Sequence, residues 1–126
     1  MEVKGIFEIS IRVKNLEASA SFYRDILGFR HGLLDSKRRW LFLWVNEKAG
    51  MVVLQEDKSS WLQQHFAFAV AASDLVSLKR NLEERGISVV GPVELSWMSA
   101  RSLYFSDPDG HDLEFCATEI PSKVSV

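Results

Sequence analysis

The sequence predicts an α+β fold made of two tandem βαβββ units, and three observations predict it. An alternating strand pattern, an apolar stripe at helical spacing and a terminating glycine occur in that order twice. The offset between copies is nearly constant: Val13 to Val70 is 57 residues (70 minus 13), and Gly28 to Gly86 is 58 (86 minus 28). Three short strand-like runs follow each glycine. The chain of 126 residues therefore reads as one domain, with unit one at about 5–56, unit two at about 64–118 and a tail at 119–126.

Each element has a local reason. Phe7 to Val13 alternates, with Phe7, Ile9, Ile11 and Val13 on one face and Glu8, Ser10 and Arg12 on the other. Asn15 suits a helix N-cap, and Leu16, Phe22, Tyr23, Ile26 and Leu27 form the stripe behind it. Gly28 stands where a C-cap glycine belongs. Strands are expected at about 30–34, 39–45 and 51–55, with a polar turn from Asn46 to Gly50.

The second copy starts with a strand over Phe66 to Val70. Ser73 or Asp74 can cap a helix with Leu75, Leu78 and Leu82 as its stripe, and Gly86 ends it. A strand at about 88–90 is expected to stop at the pair Gly91-Pro92. Two more strands, at about 101–106 and 112–117, flank the turn Asp107-Pro108-Asp109-Gly110. In that turn proline presets φ and glycine admits positive φ.

Bulk properties narrow the function classes. A net charge of -2 gives no electrostatic reason to expect nucleic acid or an anionic membrane as partner. The longest apolar run, Phe66 to Ala72, falls far short of a membrane span of roughly 20 residues. Cys116 is the one cysteine, so no internal disulfide framework is possible. Met1 to Gly5 leads straight into a strand pattern with no signal-peptide layout, and the expected location is the cytoplasm.

The repeat also locates candidate chemistry. Under the 57-residue offset Glu8 matches His65, each at a strand start and off the main apolar face. On the last strand Asp112 and Glu114 share one face, Leu113 and Phe115 the other. Glu8, His65 and Glu114 are therefore the candidate metal ligands. Aligning Gly50 with Gly110 puts Leu54 opposite Glu114, so three protein ligands are expected, with Gln55 as an alternative if the register slips. One imidazole and two carboxylates suit Mn, Fe, Co, Ni or Zn. Three protein ligands leave positions open for a substrate's oxygens, on which the metal acts as a Lewis acid.

Other residues have two readings. Trp40, Phe42 and Trp44 share a strand face, as core or dimer packing or as the wall of a cavity for a ring-bearing compound. Arg12 shares the Glu8 face, to bind an anion or to pair with a neighbouring carboxylate; Arg38, Arg39 and Arg101 are candidate rim charges. His111 is expected in the turn, facing solvent, and Cys116 as a small buried residue.

The segments Ile11 to Ser19, Phe22 to Asp25, Leu27 to Phe29, Gln64 to Val70 and Ser102 to Glu114 together resemble the vicinal oxygen chelate superfamily, over nearly the full length. That superfamily includes glyoxalase I, extradiol dioxygenases, fosfomycin-modifying enzymes and bleomycin-binding proteins. The resemblance implies paired units forming a cupped, half-barrel mixed sheet with helices outside, a homodimer, and a metal held in part by His65 and Glu114. The nearest branch is the fosfomycin-resistance one, which has a histidine where this chain has Glu8. Ser10, Tyr104 and Lys123 fall where that branch places a hydroxyl, a tyrosine and a cation, which implies roles for Ser10 and Tyr104 in catalysis. Arg12, Trp40, Trp44, Arg101 and Lys123 are the candidate substrate-binding residues.

The expected function is a glyoxalase-like, metal-dependent enzyme (lyase, isomerase or addition chemistry) acting on a small oxygenated substrate by Lewis-acid stabilisation of an oxyanion. The alternative is a non-catalytic, bleomycin-resistance-type protein that sequesters an apolar or aromatic compound.

Overall fold

The computed structural model describes residues 1–47 and 49–119. Two compact units divide between Leu62 and Gln63.

In unit 1, strands β1 (Glu8–Val13), β2 (Arg30–Asp35), β3 (Trp40–Trp44) and β4 (Met51–Glu56) form a sheet in the order β1-β4-β3-β2. β1 runs parallel to β4, and the other neighbours are antiparallel. The alternation expected of β1 is present, since Ile11 and Val13 are fully buried while Glu8, Ser10 and Arg12 are exposed. Helix α1 (Leu16–Ala20) begins where Asn15, in extended conformation, accepts from Ala18 N–H at 2.8 Å. Glu56 Oε2 accepts from the neighbouring Leu16 N–H at 2.9 Å.

The expected single α-helix differs from what forms. After five residues the chain widens into a π-helical stretch, Ser21–Ile26, closed by Leu27 N–H bonding Phe22 O at 3.0 Å. The wider winding buries Phe22 and Tyr23 together, in edge contact at 5.1 Å. They join Leu16, Phe29, Leu41, Leu43, Val52 and Leu54 in the core.

Unit 2 repeats the plan. β5 (His65–Ala69), β6 (Val90–Leu95), β7 (Ala100–Ser106) and β8 (Asp112–Thr118) form a sheet in the order β5-β8-β7-β6, with β5 parallel to β8. Helix α2 (Leu75–Glu84) buries Leu75 and Leu82. Asp74 holds the N-cap position without a side-chain cap bond; a 3-10 turn over Ala72–Asp74 leads into the helix instead. The sheet's helix-side face carries Phe68, Leu103, Phe105, Leu113 and Phe115, with Phe105 and Phe115 at 4.8 Å. A buried side chain of this kind contributes roughly 1.5–3 kcal/mol.

Gly91-Pro92, expected to stop a strand, lies within β6 instead, at a register shift between Val90 and Val93. β6 is an edge strand, where proline's missing N–H leaves no ladder bond unmade. Gly91 has φ +119, and a Cβ there would come within 2.5 Å of Ser102 O.

Candidate metal centre

β5 and β8 fix the centre of unit 2. Their parallel register sets His65 beside Asp112 and Ala67 beside Glu114. Successive strand residues alternate faces, so His65, Asp112 and Glu114 share one face and Leu113 and Phe115 the other. Across that face His65 Nε2 lies 3.0 Å from Glu114 Oε1. Ser102, on β7, donates from Oγ to Glu114 Oε2 at 2.6 Å, and this serine is fully buried. Glu114 itself is 8% exposed. Both of its oxygens are thus oriented, one toward the imidazole and one by a hydroxyl.

An imidazole nitrogen and a carboxylate oxygen at this separation form the kind of hard-to-borderline donor pair a divalent transition metal takes. Among the described residues no group of three or more His, Cys, Asp or Glu is gathered to hold a metal ion. Unit 2 supplies the pair; Glu8, the unit-1 candidate, is exposed at the start of β1.

Tyr104 sits opposite Glu114 in the β7/β8 register. Burial, then the nearby Glu114 charge, push its phenol above its ordinary value, so it remains a protonated donor at neutral pH. A cavity of about 670 Å3 opens beside it, lined in part by His65, Ser88, Val90, Tyr104, Ser106 and Asp112.

In unit 1 the Glu8 face carries Ser10 and Arg12 on β1, Met51, Val53 and Gln55 on β4, and Trp40, Phe42 and Trp44 on β3. Arg12 approaches Asp57 Oδ2 at 3.5 Å. Trp40 lies under the Arg38 guanidinium at 5.7 Å, and Trp44 meets Phe7 edge-on at 6.2 Å. A depression of about 320 Å3 is lined by Phe7, Gly32, Leu33, Phe42, Trp44 and Met51.

Several expectations need correction. Glu8 pairs with Met51 as His65 pairs with Asp112, so the position equivalent to Glu114 is Val53, not Leu54. Six residues join β3 to β4 and five join β7 to β8, so aligning Gly50 with Gly110 slips the register by one. Val53 is fully buried and cannot ligate.

Arg101 shares its strand face with Leu103 and Phe105, opposite to Tyr104, and pairs with Glu94 at 2.7 Å. Arg39 is more than a rim charge: at φ +63 it reaches Glu17 at 2.6 Å and Glu56 at 3.0 Å. His111 is fully buried rather than solvent-facing. Lys123 lies outside the described residues. Ser102 and His111 are the residues that sequence reasoning missed at this centre. Alternation from Tyr104 was the signal available for Ser102.

The family model for the Glyoxalase/Bleomycin resistance protein/Dioxygenase superfamily matches residues 5–115. Metallothiol transferase FosB of Staphylococcus haemolyticus is 30% identical, over 98% of this chain and 90% of the relative. Among solved structures, integron cassette protein HFX_CASS4, from the mobile metagenome of the Halifax Harbour sewage outfall, superposes with a TM-score of 0.88 at 61% identity. That match covers 91% of this chain and 99% of the other. The fosfomycin resistance protein FosX of Listeria monocytogenes, in a mutant form complexed with Mn(II) and 1S,2S-dihydroxypropylphosphonic acid, matches with a TM-score of 0.79 at 19% identity. It covers 94% of this chain and 95% of that one, and at this identity shows the shared fold.

Proposed function

This chain belongs to the Glyoxalase/Bleomycin resistance protein/Dioxygenase superfamily, and from that premise we propose that it is a metal-dependent enzyme acting on a small oxygenated substrate. The reading is carried by one observation: His65 Nε2 and Glu114 Oε1 converge at 3.0 Å while Ser102 fixes the other carboxylate oxygen. His65 and Glu114 would hold the ion. When bound, a divalent metal supplies Lewis-acid stabilisation of negative charge on a substrate oxygen.

The chain's own residues do the rest. Tyr104, protonated at neutral pH, donates a hydrogen bond or a proton to a substrate oxygen. Ser10 offers a second hydroxyl, and Arg12 a cation for an anionic group. Trp40 and Trp44 bear on the substrate's apolar part. A homodimer belongs to the same proposal, and sedimentation velocity tests it. The activity is tested by screening Mn(II)-loaded protein for thiol addition to epoxides and for lyase and isomerase turnover. Turnover that Tyr104→Phe lowers supports the reading; a metal-free protein from every preparation defeats it.

The apolar depression in unit 1 favours a second reading, a binding protein that sequesters an apolar or aromatic compound. Trp44 then reports binding: its fluorescence responds to a suitable aromatic compound, without turnover. A silent response across a broad panel would argue against it.

A further inference from the structure

We propose that His111 is a positioning residue, which acts through the Gln64 peptide to fix the start of β5 and so aim His65 at Glu114. The inference rests on reading His65 and Glu114 as metal ligands.

The imidazole of His111 is fully buried, and its Nδ1 accepts from Gln64 N–H at 2.9 Å. The Gln64 carbonyl accepts from Asp112 N–H at 2.9 Å. Gln64, the residue before His65, is therefore gripped at both its N–H and its carbonyl. His111 is itself held: its N–H donates to Asp107 Oδ1 at 2.8 Å and its carbonyl accepts from Asp107 N–H at 3.2 Å. Phe66 meets the ring edge-on at 6.3 Å. Because Nδ1 accepts, the ring N–H is carried by Nε2.

The first unit serves as an internal control. There Met51 N–H bonds Phe7 O at 2.7 Å, the counterpart of the Asp112–Gln64 bond. The position equivalent to His111 is Gly50, which has no side chain to offer Phe7 N–H. The parallel pairing of β1 with β4 forms without such a clamp, so this fold does not need one. The clamp stands only where a histidine must face a carboxylate. A slip of one residue there would turn His65 to the core face and bring Gln64 or Phe66 to the Glu114 face.

The test compares full-length wild type with His111→Asn, which keeps an acceptor near the Nδ1 position, and His111→Gln, which moves it toward the Nε2 position. Three readouts are used: exchange of the Gln64 amide, the His65 ring 15N shifts without metal, and Mn(II) affinity by water-proton relaxation. In His111→Gln the Gln64 amide should exchange roughly tenfold faster, the His65 shifts should move, and Mn(II) should bind roughly 10–100-fold more weakly. His111→Asn should stay within about threefold of wild type on exchange and affinity.

Equal behaviour of the two variants overturns the proposal, as does wild-type affinity in His111→Gln with its Gln64 amide released. Loss of folding in both variants also overturns it, because His111 would then be a general folding residue. If wild-type protein binds no Mn(II), the metal reading fails by itself; the amide and His65 shifts then decide the clamp, and unchanged values in His111→Gln refute it.

Discussion

Removing one hydroxyl, Ser102→Ala, should loosen the metal centre and the fold together. Ser102 is fully buried, and its Oγ donates at 2.6 Å to Glu114 Oε2, on a side chain itself only 8% exposed. The substitution leaves that oxygen without its donor in a place water scarcely reaches. A hydrogen bond to a charged group contributes about 1.5–3 kcal/mol. For a chain of this size each kcal/mol moves the melting temperature by roughly 3–5 °C, so a fall of roughly 5–15 °C is expected. The freed carboxylate can also turn from His65, which should weaken Mn(II) binding by roughly 10–100-fold. Calorimetric melts with and without Mn(II), alongside a Mn(II) titration, measure both. A melting point within about 1 °C of wild type and unchanged Mn(II) affinity would refute the orienting role given to Ser102.

Gly91→Ala should cost about 3 kcal/mol or more, because φ +119 disfavours any side chain and the new Cβ would press to 2.5 Å on Ser102 O; urea unfolding measures the loss. Glu56 should tie stability to pH. Its hydrogen bonds to Arg39, then to Leu16 N–H, hold its carboxyl down at about 2, below its ordinary value of about 4.5. Because the folded value is depressed, the contribution is present above about 4.5 and lost as pH falls toward about 2. The stability gap between wild type and Glu56→Gln should therefore close over that window; a gap independent of pH would contradict the assignment. Gly32→Ala should shrink the apolar depression of unit 1, since its Cβ would stand 2.6 Å from Met51 Cε and 3.0 Å from Phe42 O. Fluorescence titration with an aromatic probe should then show weaker binding than wild type.

The paired units were legible because they rest on local rules. The alternation of β1, the Asn15 cap, Gly28 and Gly86 each require only near neighbours in sequence. What escaped depends on contacts distant in sequence. His111 reads as a polar turn residue until β5 pairs alongside β8 and covers it. The run of β6 through Gly91-Pro92 depends on its lying at a sheet edge, which no local pattern reports. The equivalence of Val53 to Glu114 was hidden by one residue of difference between two connecting loops. At the centre, alternation put His65 and Glu114 on one face, whereas the buried Ser102 bond needed the β7/β8 register.

The proposed function stands on a metal held by His65 and Glu114, which converge at 3.0 Å. Its most direct test is Mn(II) stoichiometry, measured by titration with elemental analysis, on wild type, His65→Ala and Glu114→Ala. One ion per chain is expected in wild type, with none retained by Glu114→Ala and a weakened site in His65→Ala. A wild-type protein without metal, or a Glu114→Ala protein that keeps its ion, would contradict it.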